Sequence, residues 1–151
     1  ALLLVPTLAF AEACVGVGIF ISGAFLVAVA TFALNYEIAG IETICLLAAL
    51  GAIAGDHAGF YTGLWLGPNF HQTKIAGRYK SALARGEALI LKHGGWAIFI
   101  GRFIPAIRSI IPVLVGLSEF SKTRYAAYDI AACILWSIAL GAIVSGIESL
   151  I

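Results

Sequence analysis

Charged residues are scarce in this chain of 151 residues, because Asp, Glu, Lys and Arg together make up only 11% of it. Soluble domains contain about 25% charged and roughly 45–50% apolar residues. Here 62% of the residues are hydrophobic, which is more apolar surface than a fold of this length can hide from water. The composition therefore excludes a cytosolic enzyme, a nucleic-acid-binding protein and a disordered chain. It indicates an integral membrane protein.

The sequence also offers few residues that could hold a metal or a cofactor. The three cysteines lie inside apolar runs and in no spacing typical of metal ligands, so we interpret them as reduced packing residues. The three histidines show no ligand spacing either. No serine or cysteine nucleophile has a plausible base in the sequence. We therefore expect no metal, no cofactor and no catalytic residue, and the protein is predicted not to be an enzyme.

Two apolar runs are long enough to cross a bilayer, which takes about 20 residues of helix: 43–66 and 122–147. Between them, residues 70–93 carry five basic side chains and one acidic one, and apolar residues alternate with the cations at loosely helical spacing. Because cytoplasmic loops are rich in Lys and Arg, this segment is predicted to be an amphipathic helix on the cytoplasmic surface. Residues 35–42 carry two acids and no cation, so they are placed outside.

Two further apolar runs are broken in the middle. Residues 6–36 are interrupted at Ser22-Gly23, and residues 94–118 at Pro105, which removes a backbone donor and disfavours helix before it. Basic residues on both flanks of 94–118 place both of its ends in the cytoplasm. We therefore expect two re-entrant helical hairpins, whose tips lie inside the membrane where protein or water covers the broken backbone.

The predicted fold is an all-α polytopic membrane protein with a single domain over residues 1–151. Each half is a hairpin followed by a spanning helix, and the halves enter the membrane from opposite faces. Broken helices in corresponding positions of two inverted halves indicate a transport site near the midplane. Membrane lipids are the expected surroundings, nucleic acid is not an expected partner, and homo-oligomer formation is left open.

Four charged residues fall at predicted membrane depth: Glu12, Asp56, Arg102 and Arg108. Each costs about 2.5–3.5 kcal/mol on insertion scales, so charges in such places usually mark a functional site. A chain broken at Pro105 can turn both guanidiniums toward one point, where they would bind a phosphate or a carboxylate. Glu12 and Asp56 are predicted to balance the arginines and to carry protons. Mutual neutralisation without any transport role is the alternative.

Two more polar residues are candidates for the same site. His57 follows Asp56 directly and is placed to relay protons, although packing is the simpler role for it. Asp129 lies near the cytoplasmic end of the last span, where an interfacial charge costs little, so its membership of the site is left open. Glycines recur at every fourth position around Asp56, and this stripe is predicted to pack against neighbouring helices.

The sequence Gly-Arg-Phe-Ile-Pro at 101–105, followed by Arg108, resembles the signature of DedA-family membrane proteins, which contain a VTT (SNARE-associated) domain. Asp56 in its Gly-Asp setting and the region after Glu12 resemble other parts of that pattern, so the likeness covers nearly the whole chain. The resemblance implies opposed re-entrant hairpins and the movement of lipid phosphates, notably the return of undecaprenyl phosphate across the bacterial inner membrane. It also implicates the proton-motive force.

One departure from the family pattern concerns the tip of the first hairpin. Many members carry Pro-Gly followed by an acid there, whereas residues 21–24 lack both the proline and the acid. Proton coupling would then rest on Glu12 and Asp56. The sequence thus predicts a multi-pass flippase for a lipid phosphate in a bacterial cytoplasmic membrane. An uncoupled phospholipid scramblase, a small-solute or ion transporter and a purely structural module are the alternatives.

Overall fold

The structure is a computed structural model that describes residues 2–14, 23–105, 107–118 and 120–150, without the side chains of Pro68 and Ile75. These residues form helices and connecting turns, with no β-strand among them, so the predicted all-α class is confirmed. The helices are α1 (Leu4–Ala13), α2 (Gly23–Asn35), α3 (Ile41–Leu66), a 3-10 helix (Gly67–Gln72), α4 (Lys74–Arg78), α5 (Lys80–His93), α6 (Trp96–Arg102), α7 (Ile111–Leu117) and α8 (Lys122–Glu148).

The two longest helices, α3 and α8, are long and apolar enough to cross a membrane, and they coincide with the predicted spans 43–66 and 122–147. With 26 and 27 residues, they extend about 39 and about 40 Å at the usual helical rise. Large apolar side chains such as Leu46, Ile134 and Ile138 are exposed on their outer faces. Such faces suit lipid rather than water as the surrounding medium.

Helices α3 and α8 pack side by side and run antiparallel. Gly141, late in α8, lies against the sulfur of Cys45 near the start of α3. Lys122, the first residue of α8, lies over the ring of Tyr61 near the end of α3, 5.8 Å from the ring centre. The end of α3 and the start of α8 therefore share one end of the pair. Residues 67–121 leave the pair and return to it at that same end.

Four shorter helices flank this pair: α1, α2, α6 and α7. They have 10, 13, 7 and 7 residues, so each extends only about 10–20 Å and is too short to cross a bilayer alone. Helix α1 packs on α3 and α2 on α8, whereas α6 packs on α8 and α7 on α3. Exchanging the two halves of the chain leaves this pattern of helix contacts unchanged. The inverted arrangement of the halves and the re-entrant geometry both stay predictions.

The predicted helix break at Pro105 is confirmed, because α6 ends at Arg102 and α7 begins only at Ile111. Of the predicted tip residues in the first hairpin, Gly23 begins α2, and Ser22 lies outside the described residues. Pro105 itself is exposed. Each of the two predicted hairpin segments thus contains two short helices rather than one long one.

The glycine stripe of α3 was predicted to serve packing, and this is confirmed. A Cβ atom at Gly51 would collide with the backbone carbonyl of Pro6 in α1, and one at Gly63 with the backbone carbonyl of Val113 in α7. Only glycine lets two helix backbones approach this closely. The same helix thereby holds the first short helix of one half and the second short helix of the other.

The segment 70–93 is divided where the sequence predicted one amphipathic surface helix. Thr73 has an extended backbone, and its hydroxyl accepts a hydrogen bond from the Ala76 amide at 3.2 Å, so the 3-10 helix ends and α4 begins there. A second interruption at Tyr79 separates α4 from α5. Helix α5, which is the longest of the three pieces, covers α6 and α7.

Candidate functional site

An ion pair lies near the middle of both long helices. The guanidinium of Arg102, at the end of α6, pairs with the carboxylate of Asp56, and both side chains are buried. Asp56 lies 15 residues into α3, and Arg102 lies over the indole of Trp136, 14 residues into α8, at 5.2 Å from the ring centre. These positions are about 21–23 Å from the start of each helix, close to its midpoint.

A second ion pair joins the break after α6 to the last turn of α1. Arg108 Nη2 lies 2.5 Å from Glu12 Oε1 and donates a hydrogen bond to the Glu12 carbonyl oxygen at 3.1 Å. Gly23 borders the same carboxylate, because a Cβ atom there would come within 2.9 Å of Glu12 Oε1. The predicted tip residue Gly23 thus belongs to the surroundings of the pair.

The four charges predicted at membrane depth therefore meet in one buried cluster. Each arginine of the second half of the chain pairs with an acid of the first half. The two pairs also influence each other electrostatically, because Arg102 acts on both Glu12 and Arg108. Burying an ion pair costs desolvation energy, which the attraction between the two charges often does not repay.

Asp129 is not the inexpensive interfacial charge that the sequence predicted. Its side chain is buried, because the face of α8 that carries it packs against α3. His57 Nδ1 lies 3.2 Å from Asp129 Oδ2. The histidine therefore pairs with Asp129 across the two long helices rather than with its neighbour Asp56, and the structure brings Asp129 and His57 to the cluster together.

Sequence reasoning missed three residues of α8 that complete the cluster. The Tyr125 hydroxyl donates to the carbonyl oxygen of Asp56 at 3.1 Å, and Cys133 Sγ lies between two carboxylates, 3.7 Å from Asp56 Oδ2 and 3.8 Å from Asp129 Oδ1. Trp136 covers the guanidinium described above. The signal was present, since Tyr125, Asp129, Cys133 and Trp136 recur at intervals of three and four and so share one face of a helix.

Three of these groups offer atoms that a metal ion could bind. The carboxylates of Asp56 and Asp129 and the sulfur of Cys133 lie within 4.8 Å of one another. The carboxylate of Asp56 is already paired with the guanidinium of Arg102, however, and the positive charge of that guanidinium repels a cation. We therefore assign no metal to this group.

Some polar atoms of the cluster have no hydrogen-bond partner among the described residues. They are Glu12 Oε2, Arg102 Nε and Asp129 Oδ2, and all three are buried. A buried polar group without a hydrogen bond costs about 1–3 kcal/mol, so native proteins keep few of them. The cluster thus holds unused donors and acceptors that a bound ligand or an exchanging proton would satisfy.

Two long apolar helices around an internally paired charge cluster in the interior of the chain define the class as a helical membrane protein with a buried polar site. The chain belongs to the VTT domain family, the DedA family, whose domain matches residues 2–146. The resemblance of the sequence to that family is thereby confirmed.

Relatives of this chain are bacterial membrane proteins. Protein DedA of Escherichia coli K12 is 28% identical over 119 residues, which cover 78% of this chain and 52% of that protein. Inner membrane protein YabI of the same strain is 27% identical over 139 residues, or 89% and 53%. An uncharacterized membrane protein of Mycobacterium leprae is 35% identical over 89 residues, or 58% and 40%. The chain spans about half or less of the length of these relatives, and no solved structure matches it.

Proposed function

We propose that the protein moves a lipid phosphate across a bacterial cytoplasmic membrane and holds the phosphate at Arg102 and Arg108. The observation that carries this proposal is a pair of guanidiniums, Arg102 buried and Arg108 half-buried, each held by an acid of the other half of the chain. Intramembrane charges are expensive, and they are usually retained where a polar substrate crosses. Glu12 and Asp56 act as counter-charges while the site is empty.

The donor geometry favours a phosphate. A guanidinium offers five N–H donors in a rigid plane and keeps its charge at every relevant pH, so it binds phosphate oxygens through paired hydrogen bonds. Arg102 Nε is buried and has no partner among the described residues, so its N–H can donate a hydrogen bond to a ligand. A phosphate oxygen at this nitrogen would satisfy it.

Exposed apolar residues beside the arginines favour a lipid over a small solute. Phe103 and Ile104 directly follow Arg102, and they are 47% and 38% exposed. They present apolar surface at the depth of the charge cluster, where an acyl or prenyl chain could lie in the bilayer while its phosphate reaches the guanidiniums. Undecaprenyl phosphate, the lipid that the family resemblance implies, has this form.

The arrangement of the helices supports a transport path with access from both sides. Because 67–121 leaves and returns at one end of the α3–α8 pair, α6 and α7 enter the membrane from that end, which the basic segment places in the cytoplasm. Helices α1 and α2 correspond to them from the other end. We propose that these are the re-entrant hairpins of two inverted halves, with the phosphate site between them. Such a path breaks no covalent bond, so the proposal includes neither a catalytic residue nor a cofactor.

Proton coupling is part of the proposal. A phosphate adds negative charge to a buried cluster, and a proton taken up with it offsets the electrostatic cost. We therefore expect transport to depend on a pH gradient.

Reconstitution tests the function. Purified protein in liposomes that contain undecaprenyl phosphate should make the phosphates of the inner leaflet accessible to an impermeant phosphatase added outside. A variant with Arg102→Gln and Arg108→Gln should not. Exchange that ignores an imposed pH gradient would favour the uncoupled scramblase. Uptake of inorganic phosphate without lipid exchange would contradict the proposal and favour a small-solute transporter.

A further inference from the structure

The buried charges of the cluster do not balance in pairs. Three carboxylates, Glu12, Asp56 and Asp129, face two guanidiniums, Arg102 and Arg108. Both guanidiniums are already paired, so Asp129 is the surplus acid. A buried carboxylate without a counter-charge is unfavourable, so the resting cluster is neutral when Asp129 itself carries one proton.

His57 is the group beside Asp129 that can take up a proton. Its Nδ1 lies 2.9 Å from the carbonyl oxygen of Ile53, and because a carbonyl can only accept, Nδ1 carries a hydrogen. The other ring nitrogen, Nε2, is then the proton acceptor. The side chain of His57 is 26% exposed, whereas the five other charged side chains of the cluster are 14% exposed or less. His57 is therefore the least buried of the charged and ionisable side chains in these three pairs.

The surroundings of the pair connect it to the arginine that would bind phosphate. Cys133 Sγ bridges the carboxylates of Asp129 and Asp56, and Asp56 holds Arg102. The positive charge of Arg102 also acts directly on the carboxylate of Asp129. The titratable and charged groups around the pair are Asp56 from α3, Arg102 from α6, Tyr125 and Cys133 from α8, and beyond them Glu12 and Arg108.

We infer that the His57–Asp129 pair is the proton-binding site of this protein. The pair takes up a proton from water when a phosphate occupies the arginines, and it returns that proton when the phosphate leaves. This inference rests on the proposed function, and it assigns the proton to a pair other than the predicted carriers Glu12 and Asp56.

The free donor of Arg102 explains why the proton goes to this pair. Arg102 Nε has no partner among the described residues, so we place the phosphate at this nitrogen, where Asp56 keeps its own contact with Nη1. Asp56 then stays paired and needs no proton. The added negative charge acts on the nearest group with free proton capacity, which is the imidazole of His57. By linkage, protonation of the pair strengthens phosphate binding by the same factor.

The experiment counts protons. Full-length protein in detergent receives farnesyl phosphate in a weakly buffered solution, and a pH-sensitive dye reports proton uptake. In a background with Trp65→Phe and Trp96→Phe, the fluorescence of Trp136, which lies on Arg102, reports binding. Wild-type protein should take up about one proton for each phosphate bound. The phosphate monoester itself titrates at about pH 6, so the quantity of interest is the difference between wild type and variant at one pH.

Two variants remove the ability of the His57–Asp129 pair to take up a proton. His57→Gln with Asp129→Asn leaves two acids and two arginines, so the cluster is neutral without a proton. It should bind farnesyl phosphate more weakly, because the linked proton is lost, and it should show no uptake. His57→Gln alone leaves Asp129 to hold the resting proton, with no room for another, and should lose the uptake as well. This single variant decides the question if the double variant is not monodisperse. Glu148→Gln, an exposed acid at the end of α8, is the matched control and should behave as wild type.

The outcomes separate the two hypotheses. If either pair variant takes up as many protons as wild type, the inference is overturned, and the proton is assigned to Glu12 or Asp56 instead. Binding by wild type without any uptake overturns it too, but leaves lipid-phosphate transport standing. No binding of farnesyl phosphate by wild type overturns the proposed function, and the inference falls with it.

Discussion

Arg108 and Glu12, which are 96 residues apart in the chain, meet through two contacts of one guanidinium nitrogen. Arg108 Nη2 lies 2.5 Å from the Glu12 carboxylate and also donates to the Glu12 backbone carbonyl at 3.1 Å. That carbonyl belongs to the last turn of α1, where helix geometry leaves backbone acceptors unsatisfied and favours a positive charge. A single side chain of the second half thus caps a helix of the first half and neutralises its acid.

Replacing either arginine by lysine tests whether transport requires the planar guanidinium or only a positive charge. Arg102→Lys and Arg108→Lys should fold, as judged by a monodisperse detergent peak, yet transport poorly, because an ammonium cannot offer paired planar donors to a phosphate. A lost charge-assisted hydrogen bond costs about 1.5–3 kcal/mol, or roughly ten- to hundredfold in affinity. Arg85→Lys, the same change on the exposed face of α5, is the control. Full transport by both cluster variants would favour a purely structural role.

The close approach of α3 and α7 predicts a steric effect at Gly63. Gly63→Ala puts a methyl group onto the backbone carbonyl of Val113, which cannot move aside without shifting α7. We expect a loss of roughly 1–3 kcal/mol of stability, measured as a lower melting temperature in detergent. Gly146→Ala is the matched control, because nothing lies within 4 Å of that position in α8. An unchanged melting temperature for Gly63→Ala would mean that the helices are not packed this closely.

Much of this architecture could be predicted from local properties of the sequence. Apolar length located α3 and α8 to within a few residues, and the chemistry of proline located the break between α6 and α7. The cost of charge in lipid singled out Glu12, Asp56 and both arginines before any contact was known. Each of these inferences depends on one segment and the medium around it.

What could not be predicted depends on how the helices face one another. Asp129 looked interfacial because its distance from the end of α8 was known, but the face it presents to α3 was not. His57 looked like a partner of Asp56 because the two are adjacent in sequence, although neighbouring residues point about 100° apart on a helix. The pairing of His57 with Asp129, and the bridging position of Cys133, arise only from the antiparallel packing of two helices.

Cysteine labelling tests the topology. In a background in which the three native cysteines are replaced, Gly94→Cys and Lys122→Cys should both resist an impermeant thiol reagent in intact cells and react after permeabilisation. The reason is that 67–121 begins and ends at one end of the α3–α8 pair, and the basic residues of this segment predict that this end is cytoplasmic. Gly40→Cys, in the predicted outer loop, should react in intact cells and serves as the positive control. Labelling of Lys122→Cys alone would make 94–118 a span and remove the inverted halves.

The pairing of the charges leads to a test that separates stability from transport. Arg108→Gln with Glu12→Gln removes both members of one pair, whereas Arg108→Gln with Asp56→Asn takes one member from each. The mismatched variant leaves Glu12 and Arg102 buried without partners, and a broken buried pair costs about 3–5 kcal/mol. We therefore expect the matched variant to melt well above the mismatched one in detergent.

Neither double variant should transport, although both keep the balance of charges, because the phosphate has lost one of its two guanidiniums. Equal melting temperatures would show that the pairs found in the structure do not exist as such. Recovery of undecaprenyl phosphate exchange in the matched variant would show that Arg108 serves only to neutralise Glu12, because a protein without that guanidinium would still carry its substrate.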